Sequence, residues 1–402
     1  MYKISPLLAR FAMALLLGGL IGTIWVNAAP GSYYDFDEWR LFGTNMPGWL
    51  AAQPMLLTPS IIVGEGLMAL FIFLIAKELW EALRLESGAL SGRQAIGPLI
   101  LMLGAVLGGS LVWVTLALIF RQADNLPPGL GWTTPIGGDV VLAYLFGRLV
   151  FGPAHPALKL LLLVTITETL LGLSLTALFA ADHPLRPVWL IVPLVAALGV
   201  WWRYGRAQPE ATLIDQRRAL TMWPYMVAGL ISWLGVLASG LPGALGLLPI
   251  LPAVAHAVRS FGLFAEAEEL LHDPLNRLAH LLAWPTTCAM FAFGITQGAI
   301  DLSAFAPLTL VTLAALWLGR PAGLYLAAVL LARTGATGPA MAITSGDLIR
   351  LTPLLCIAFT GPVLGLPLGL PGGIMAEGAR LGLALSLLAG PMAILIARKQ
   401  RP

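Results

Sequence analysis

Twelve apolar runs, each bounded by turn residues or charges, follow one another along this chain, near 8–27, 57–80, 95–120, 133–150, 158–180, 187–203, 221–238, 244–258, 280–297, 307–332, 347–370 and 377–398. A helix crossing a bilayer needs ~20 such residues. Within lipid every backbone N–H and C=O must find its partner inside the chain, so these runs fold as helices. Composition agrees: 58% of the 402 residues are hydrophobic and 11% are charged, against roughly 25% charged in soluble domains. Mean hydropathy is +0.86. The chain therefore reads as an all-α polytopic membrane protein of about 12 transmembrane helices. It forms a single transmembrane domain over 1–402, with no room for a soluble domain. Lys3 and Arg10, followed by an apolar stretch ending in Val26-Asn27-Ala28-Ala29, have the cast of a signal peptide, but the stretch is read as the first helix.

Charge placement sets the orientation. Twelve spans put Lys3, Arg10, Arg84, Arg93, Arg148, Lys159, Arg398, Lys399 and most other cations on one side. Only Arg40, Arg121 and Arg186 fall on the other. The positive-inside rule then places both termini in the cytoplasm. A net charge of +3 is too small to argue for nucleic acid. Cys288 and Cys356 lie in apolar runs and read as small buried hydrophobes. Five scattered histidines give no transition-metal site.

Few ionisable residues remain within the spans: Glu65, Lys77, Glu78, Asp139, Glu168 and Arg320, with Arg350 and Arg380 nearer span ends. Such residues are costly in lipid and mark ion or proton paths. Asp139 closes Gly131-Trp132-Thr133-Thr134-Pro135-Ile136-Gly137-Gly138-Asp139, where Pro135, Gly137 and Gly138 predict a helix break. A second break is predicted in Cys356-Ile357-Ala358-Phe359-Thr360-Gly361-Pro362, at Thr360, Gly361 and Pro362. Two broken crossing helices, the fourth and the eleventh, predict a transporter of inverted repeats, roughly 95–180 and 307–398, with a midplane ion site. Asp139 and Arg320 are charges of the kind that balance half-helix dipoles; a buried ion pair that fixes packing is the competing reading. Glu168, in Thr165-Ile166-Thr167-Glu168-Thr169, is either a site carboxylate or one hydrogen-bonded to a polar neighbour. Lys77 and Glu78 read as a pair at the cytoplasmic membrane edge. Glu65, flanked by Gly64 and Gly66, fits near the outer interface.

At these residues the chain resembles the NhaA-type sodium/proton antiporter family, over nearly its whole length. Gly64-Glu65-Gly66-Leu67-Met68-Ala69-Leu70-Phe71 is similar to the family's Asn-Asp-Gly-Leu-Met-Ala-Val-Phe. Ser91-Gly92-Arg93-Gln94-Ala95 is similar to Ser-Leu-Arg-Gln-Ala. Gly131 through Asp139 resembles Gly-Trp-Ala-Ile-Pro-Ala-Ala-Thr-Asp. Leu318-Gly319-Arg320-Pro321 resembles Ile-Gly-Lys-Pro, and Cys356 through Thr360 resembles Cys-Gly-Ile-Gly-Phe-Thr. The departures fall on the chemistry. The family's fifth helix carries adjacent carboxylates before Leu-Gly, where this chain has Thr169 and Leu170. Glu168 lies one position earlier, a rotation of about 100°. The threonine before the fourth-helix Asp becomes Gly138, and the tenth-helix Lys becomes Arg320, which cannot give up its proton.

The resemblance implies a secondary transporter in a bacterial-type inner membrane, and no enzyme. It would exchange Na+ (or Li+) for H+ without a cofactor. A cation and a proton competing for one carboxylate couple the two fluxes. Asp139 and Glu168, with the hydroxyls of Thr167 and Thr169, would form the ion and proton site, and Arg320 would compensate charge. One carboxylate at the crossing suggests altered stoichiometry, with fewer protons per cation. The resemblance also implies a homodimer through the outer loop 28–56, by a β-hairpin for which Tyr33 to Arg40 is the candidate. Glu78, Glu266 and His272 are candidate pH-sensing residues on the cytoplasmic side, against the plainer reading of a solvated loop face. Two alternatives stay open: a carrier of another solute or organic anion, and a transport-inactive membrane subunit of a larger complex.

Overall fold

A computed structural model describes residues 4–41, 47–48, 56–84, 95–124, 131–180, 185–204, 220–256, 263–266, 273–334, 344–370 and 372–399. Helix dominates, with no strand longer than a single bridge residue among them. In chain order the helices are α1 (Leu7–Ala28) and α2 (Pro30–Asp37), then α3 (Pro59–Arg84) and α4 (Ile96–Asp124). Next come α5 (Val140–Phe151), α6 (Pro156–Leu175, prolonged by a π turn Thr176–Ala180) and α7 (Pro187–Arg203). Then follow α8 (Trp223–Ser239), α9 (Gly243–Ala253, of 3₁₀ type) and α10 (Pro274–Thr296). The last four are α11 (Pro307–Arg333), α12 (Ser345–Leu355), α13 (Thr360–Gly369) and α14 (Ile374–Lys399). Pro30, Pro59, Pro156, Pro187, Pro274 and Pro307 each open a helix, where a missing N–H costs nothing and φ is already helical.

Seven of these helices are long and apolar enough to cross a membrane, or eight if α12 and α13 form one span bent by 42°. The expected boundaries shift in two places. The 133–150 run has helix only from Val140 on, because Gly131–Pro135 forms turns and Ile136–Asp139 has no regular structure. The 244–258 run is a 3₁₀ segment, with Pro249 and Pro252 removing backbone donors.

The chain divides into two compact units. One comprises residues 1–12, 89–182 and 300–402; the other, 13–88 and 183–299. Within the first, α4 and α11 meet backbone to backbone. Gly104 and Gly108 face Gly319 and Gly323, so a Cβ on Gly323 would lie 2.9 Å from the Cα of Gly108. Small residues four apart permit such close approach where lipid supplies no hydrophobic drive between helices. Away from that seam α4 turns Leu107 (67% exposed) and Leu111 (69% exposed) outward, a lipid-facing surface that water would not tolerate at this extent.

In the second unit α1 and α10 repeat the device. A Cβ on Gly22 would stand 2.7 Å from the Ile295 carbonyl oxygen. The candidate hairpin strand is instead largely helical, since Tyr33 to Asp37 belong to α2. Pro30 starts that helix, and Tyr33 is buried, its hydroxyl donating to the Thr296 carbonyl at 2.7 Å. Residues 42–46 and 49–55 of the outer loop lie outside the described residues. Cys288 is exposed on α10 and only Cys356 is buried, because the apolar run around Cys288 has a lipid-facing side that periodicity alone does not identify.

Candidate functional site

The first unit holds a crossing of two non-helical segments, Ile136–Asp139 and Ile357–Phe359, each leading into a helix. Asp139 is the N-cap of α5, its Oδ1 accepting from the Leu142 amide at 2.7 Å. Its Oδ2 accepts from the amide of Thr360 at 2.9 Å and from the Thr360 hydroxyl at 2.6 Å. Thr360 is the first residue of α13, whose own N-cap, Phe359, supplies no side-chain bond. One carboxylate thus caps the positive ends of two helices. The Asp139 amide donates to the Ile357 carbonyl at 2.9 Å and ties the segments together. Asp139 is wholly buried and Thr360 nearly so.

Glycines make the crossing possible. Gly137 has φ +124°, and a Cβ there would come within 3.1 Å of Pro362. Gly172 lets α6 pass the non-helical segment, since a Cβ would stand 2.6 Å from the Ile136 carbonyl. Gly138 leaves no room for a hydroxyl-bearing side chain: Thr165 of α6 would lie 2.7 Å from its Cβ.

Arg320 does form a buried ion pair, but with Glu168 and not with Asp139: its guanidinium pairs with the Glu168 carboxylate and its Nη1 donates to the Gly137 carbonyl at 3.0 Å. Both side chains of the pair are buried. Arg320 follows a π turn, Ala315–Gly319, and its stem packs near Gly109, whose Cβ would fall 3.0 Å from Arg320 Cγ. Glu168 faces inward on α6, with Oε2 on Arg320 and Oε1 without a protein partner. Thr169 takes the direction of the crossing. Its hydroxyl donates to the carbonyls of Gly138 at 2.7 Å and Thr165 at 2.8 Å. Thr167 is half-buried and donates back to the Leu163 carbonyl at 2.7 Å.

Sequence reasoning missed Ser386. Its hydroxyl accepts from the Ala358 amide at 3.1 Å and so braces the second non-helical segment. A lone serine inside Leu385-Ser386-Leu387 was the available signal. Beside this segment an apolar cavity of about 300 Å³ is lined by Trp317, Pro321, Thr352, Pro353, Cys356 and Met392, among others.

The remaining candidates belong to the second unit. Lys77 bridges Glu78 at 3.0 Å and Glu81 at 2.9 Å, and all three are buried. Glu78 also accepts from the Phe264 amide. Glu266 is exposed, and His272 lies outside the described residues. Glu65 sits in the π turn Ile62–Leu67 of α3, where its carboxylate accepts from the Gly243 amide and its carbonyl from Trp233 Nε1 at 2.7 Å.

The proteins to which this chain is similar are described as sodium/proton antiporters. The profile of a family described as Na+/H+ antiporter 1 matches residues 8–396. The Na(+)/H(+) antiporter NhaA of Jannaschia sp. (strain CCS1) is 33% identical over 411 residues, covering 99% of this chain and 98% of that one. The Na(+)/H(+) antiporter NhaA 2 of Pelobacter propionicus is 28% identical over 405 residues, covering 100% and 99%. Among solved structures, the sodium proton antiporter MjNhaP1 of Methanocaldococcus jannaschii at pH 8 superposes with a TM-score of 0.52 over 98% of both chains. At 15% identity that likeness speaks for the fold alone.

Proposed function

Because the chain belongs to the NhaA-type Na+/H+ antiporter family, we propose that it exchanges sodium or lithium ions for protons across the membrane, with Asp139 as the residue that carries them in turn. One observation carries this reading: a fully buried carboxylate held by the N-termini of two helices where two non-helical segments cross. When Asp139 is protonated its oxygens lose acceptor strength toward the amides. When the proton leaves, the anion is ready for a small hard cation, for which carbonyl and hydroxyl oxygens are the natural further ligands. The Thr360 and Thr169 hydroxyls and the buried carbonyls of the two non-helical segments are of that kind. Thr167 and Glu168 stand on the same helix as Thr169, with Glu168 committed to Arg320.

The architecture we read is twelve crossings, with α5, α7, α8 and α9 as the short ones and α12–α13 as one broken span. Inverted repeats near 95–180 and 307–398 are supported by the unit that joins 89–182 to 300–402. Both termini face the cytoplasm, two copies pair through the outer loop 28–56, and Glu78, Glu266 and His272 bear on the pH response. Thr169 and Leu170 at the positions of the family's acidic pair leave one carboxylate at the crossing, and so fewer protons per cation.

Purified protein in liposomes carrying a trapped pH dye tests the reading. Sodium added outside should move protons, and Asp139→Asn should abolish the movement. Wild-type protein that moves no protons with sodium or lithium at any pH refutes it. The same substitution of the acidic pair favours a second reading, a transport-inactive membrane subunit; stoichiometric partners on purification, with Asp139→Asn harmless, would establish that one. Carriage of an organic anion loses its motive, because the Arg320 charge is already taken up by Glu168.

A further inference from the structure

On the basis of cation and proton exchange at Asp139, the reading proposed above, we infer that Ser386 of α14 is a positioning residue. It holds Ala358 so that Thr360 reaches the Asp139 carboxylate, and thereby sets how tightly the cation binds.

The stretch between α12 and α13 is buried, so its backbone donors must find partners inside the protein. The amides of Cys356 and Ile357 still donate back into α12, to the carbonyls of Pro353 at 3.1 Å and Leu354 at 3.3 Å. The Thr360 amide donates to Asp139. Ala358 falls too late for α12 and too early for α13, and its amide donates to the Ser386 hydroxyl at 3.1 Å. That hydroxyl also stands 2.6 Å from the Leu383 carbonyl and 3.2 Å from the Ala358 carbonyl. It has one proton to give. The shorter bond ties it to its own helix and leaves its lone pairs toward Ala358. On one side of Ala358, Ile357 supplies the carbonyl that accepts the Asp139 amide at 2.9 Å. On the other, Thr360 supplies both donors to Oδ2. The bonds that join the second segment to Asp139 therefore straddle the residue that Ser386 holds.

A brace is only as firm as the element that carries it. Gly382, Ser386 and Gly390 recur at intervals of four along α14, a spacing of small residues that lets helices approach closely. A Cβ on Gly382 would fall 2.7 Å from the Thr309 carbonyl oxygen of α11, and one on Gly390 2.5 Å from the Phe146 ring of α5. The helix is thus pressed against α11 about one turn before Ser386, and against α5, which Asp139 caps, about one turn after it. In between, Ser386–Leu388 tightens into a 3₁₀ turn, with the Ser386 side chain bonded to Leu383 at its start.

Without the hydroxyl, the Ala358 amide becomes a buried donor with no partner among the described residues, and the segment gains by moving until that amide is satisfied. Such a move carries Thr360 with it and loosens its hold on Oδ2. The bond from the Leu142 amide to Oδ1 is local to α5 and survives. Cation binding weakens, whereas the rate at saturating cation, where the site is filled in either case, is kept.

Liposomes holding the intact protein and a trapped pH dye test this through the apparent KM for sodium and for lithium at one fixed pH. Ser386→Ala should raise both KM values roughly threefold to tenfold, with the maximal rate close to wild type. Ser386→Thr, which keeps the hydroxyl, should restore them. Ser386→Cys, with a weaker donor and acceptor, should fall between, and it provides the reading if the alanine variant does not fold. Combined with Thr360→Val, Ser386→Ala should raise KM by less than the product of the two separate effects. A folded Ser386→Ala protein with wild-type KM values overturns the inference. So does a lower maximal rate or melting temperature at unchanged KM, which is the mark of packing alone, and so do effects with Thr360→Val that multiply in full. Each of these spares exchange at Asp139, provided that the wild type moves protons with sodium or lithium; a wild type that moves none defeats both.

Discussion

Gly137 shows how narrow the tolerance at the crossing is. Its φ of +124° lies where L side chains rarely go, and a Cβ would press on the Pro362 ring at 3.1 Å. Gly137→Ala should therefore cost about 1–3 kcal/mol, visible as a lower melting temperature in detergent, and should slow exchange by disturbing the carbonyl that Arg320 binds. Some of this was legible in the residues. A carboxylate after Pro135, Gly137 and Gly138 in an apolar run has few uses, so Asp139 stood out at once. The partner of Arg320 was not legible. Along a helix one residue turns a side chain by about 100°, and the π turn Ala315–Gly319 inserts such a change immediately before Arg320. The sequence names the two charges without the rotation that decides which one they meet. For the same reason Glu168 seemed displaced from its family position, whereas the direction of the crossing belongs to Thr169 and that of the guanidinium to Glu168.

Among the helices, α4 and α11 depend most on having no side chains between them. Gly104, Gly108, Gly319 and Gly323 bring the two backbones into contact, and α11 carries Arg320 at that seam. Gly323→Leu should force the pair apart, with loss of folded protein on extraction into detergent and weakened exchange in whatever survives; Leu107→Ala, on the exposed face of the same α4, should change neither by more than a small amount. Helix positions were mostly readable, because apolar length and the prolines that open so many helices are local signals. Irregular elements were harder. The 3₁₀ segment Gly243–Ala253 and the non-helical run Ile136–Asp139 are apolar enough to pass for helix. What distinguishes them is tertiary: the Asp139 amide pairs with Ile357, and Ser386 braces Ala358. The helical Pro30–Asp37 was missed for a like reason, since Tyr33 is claimed by carbonyls of α10.

Across the whole chain, lysine and arginine placement predicts an orientation that reporter fusions can check. A phosphatase that works only outside the cytoplasm should stay inactive when fused after Pro402 and become active when inserted in the outer loop near Gly48, with a fluorescent protein giving the opposite pattern. The fold class and membrane character were legible from the first, because scarcity of charge over so many apolar runs leaves helices as the available solution. The joining of segments far apart in sequence was suggested by the matched breaks alone. That joining has a consequence for how the protein is made. Asp139 leaves the ribosome 221 residues before the Thr360 amide that binds it. At about 5 to 20 residues per second this is a wait of roughly 10 to 45 seconds. During that interval a carboxylate destined for the interior, followed by a helix of 12 residues that is short for a bilayer, lacks half of its cap. The nascent chain must therefore keep it at a wet interface or within the insertion machinery, and any chain released before residue 360 is synthesised carries a stranded charge that quality-control proteases can recognise.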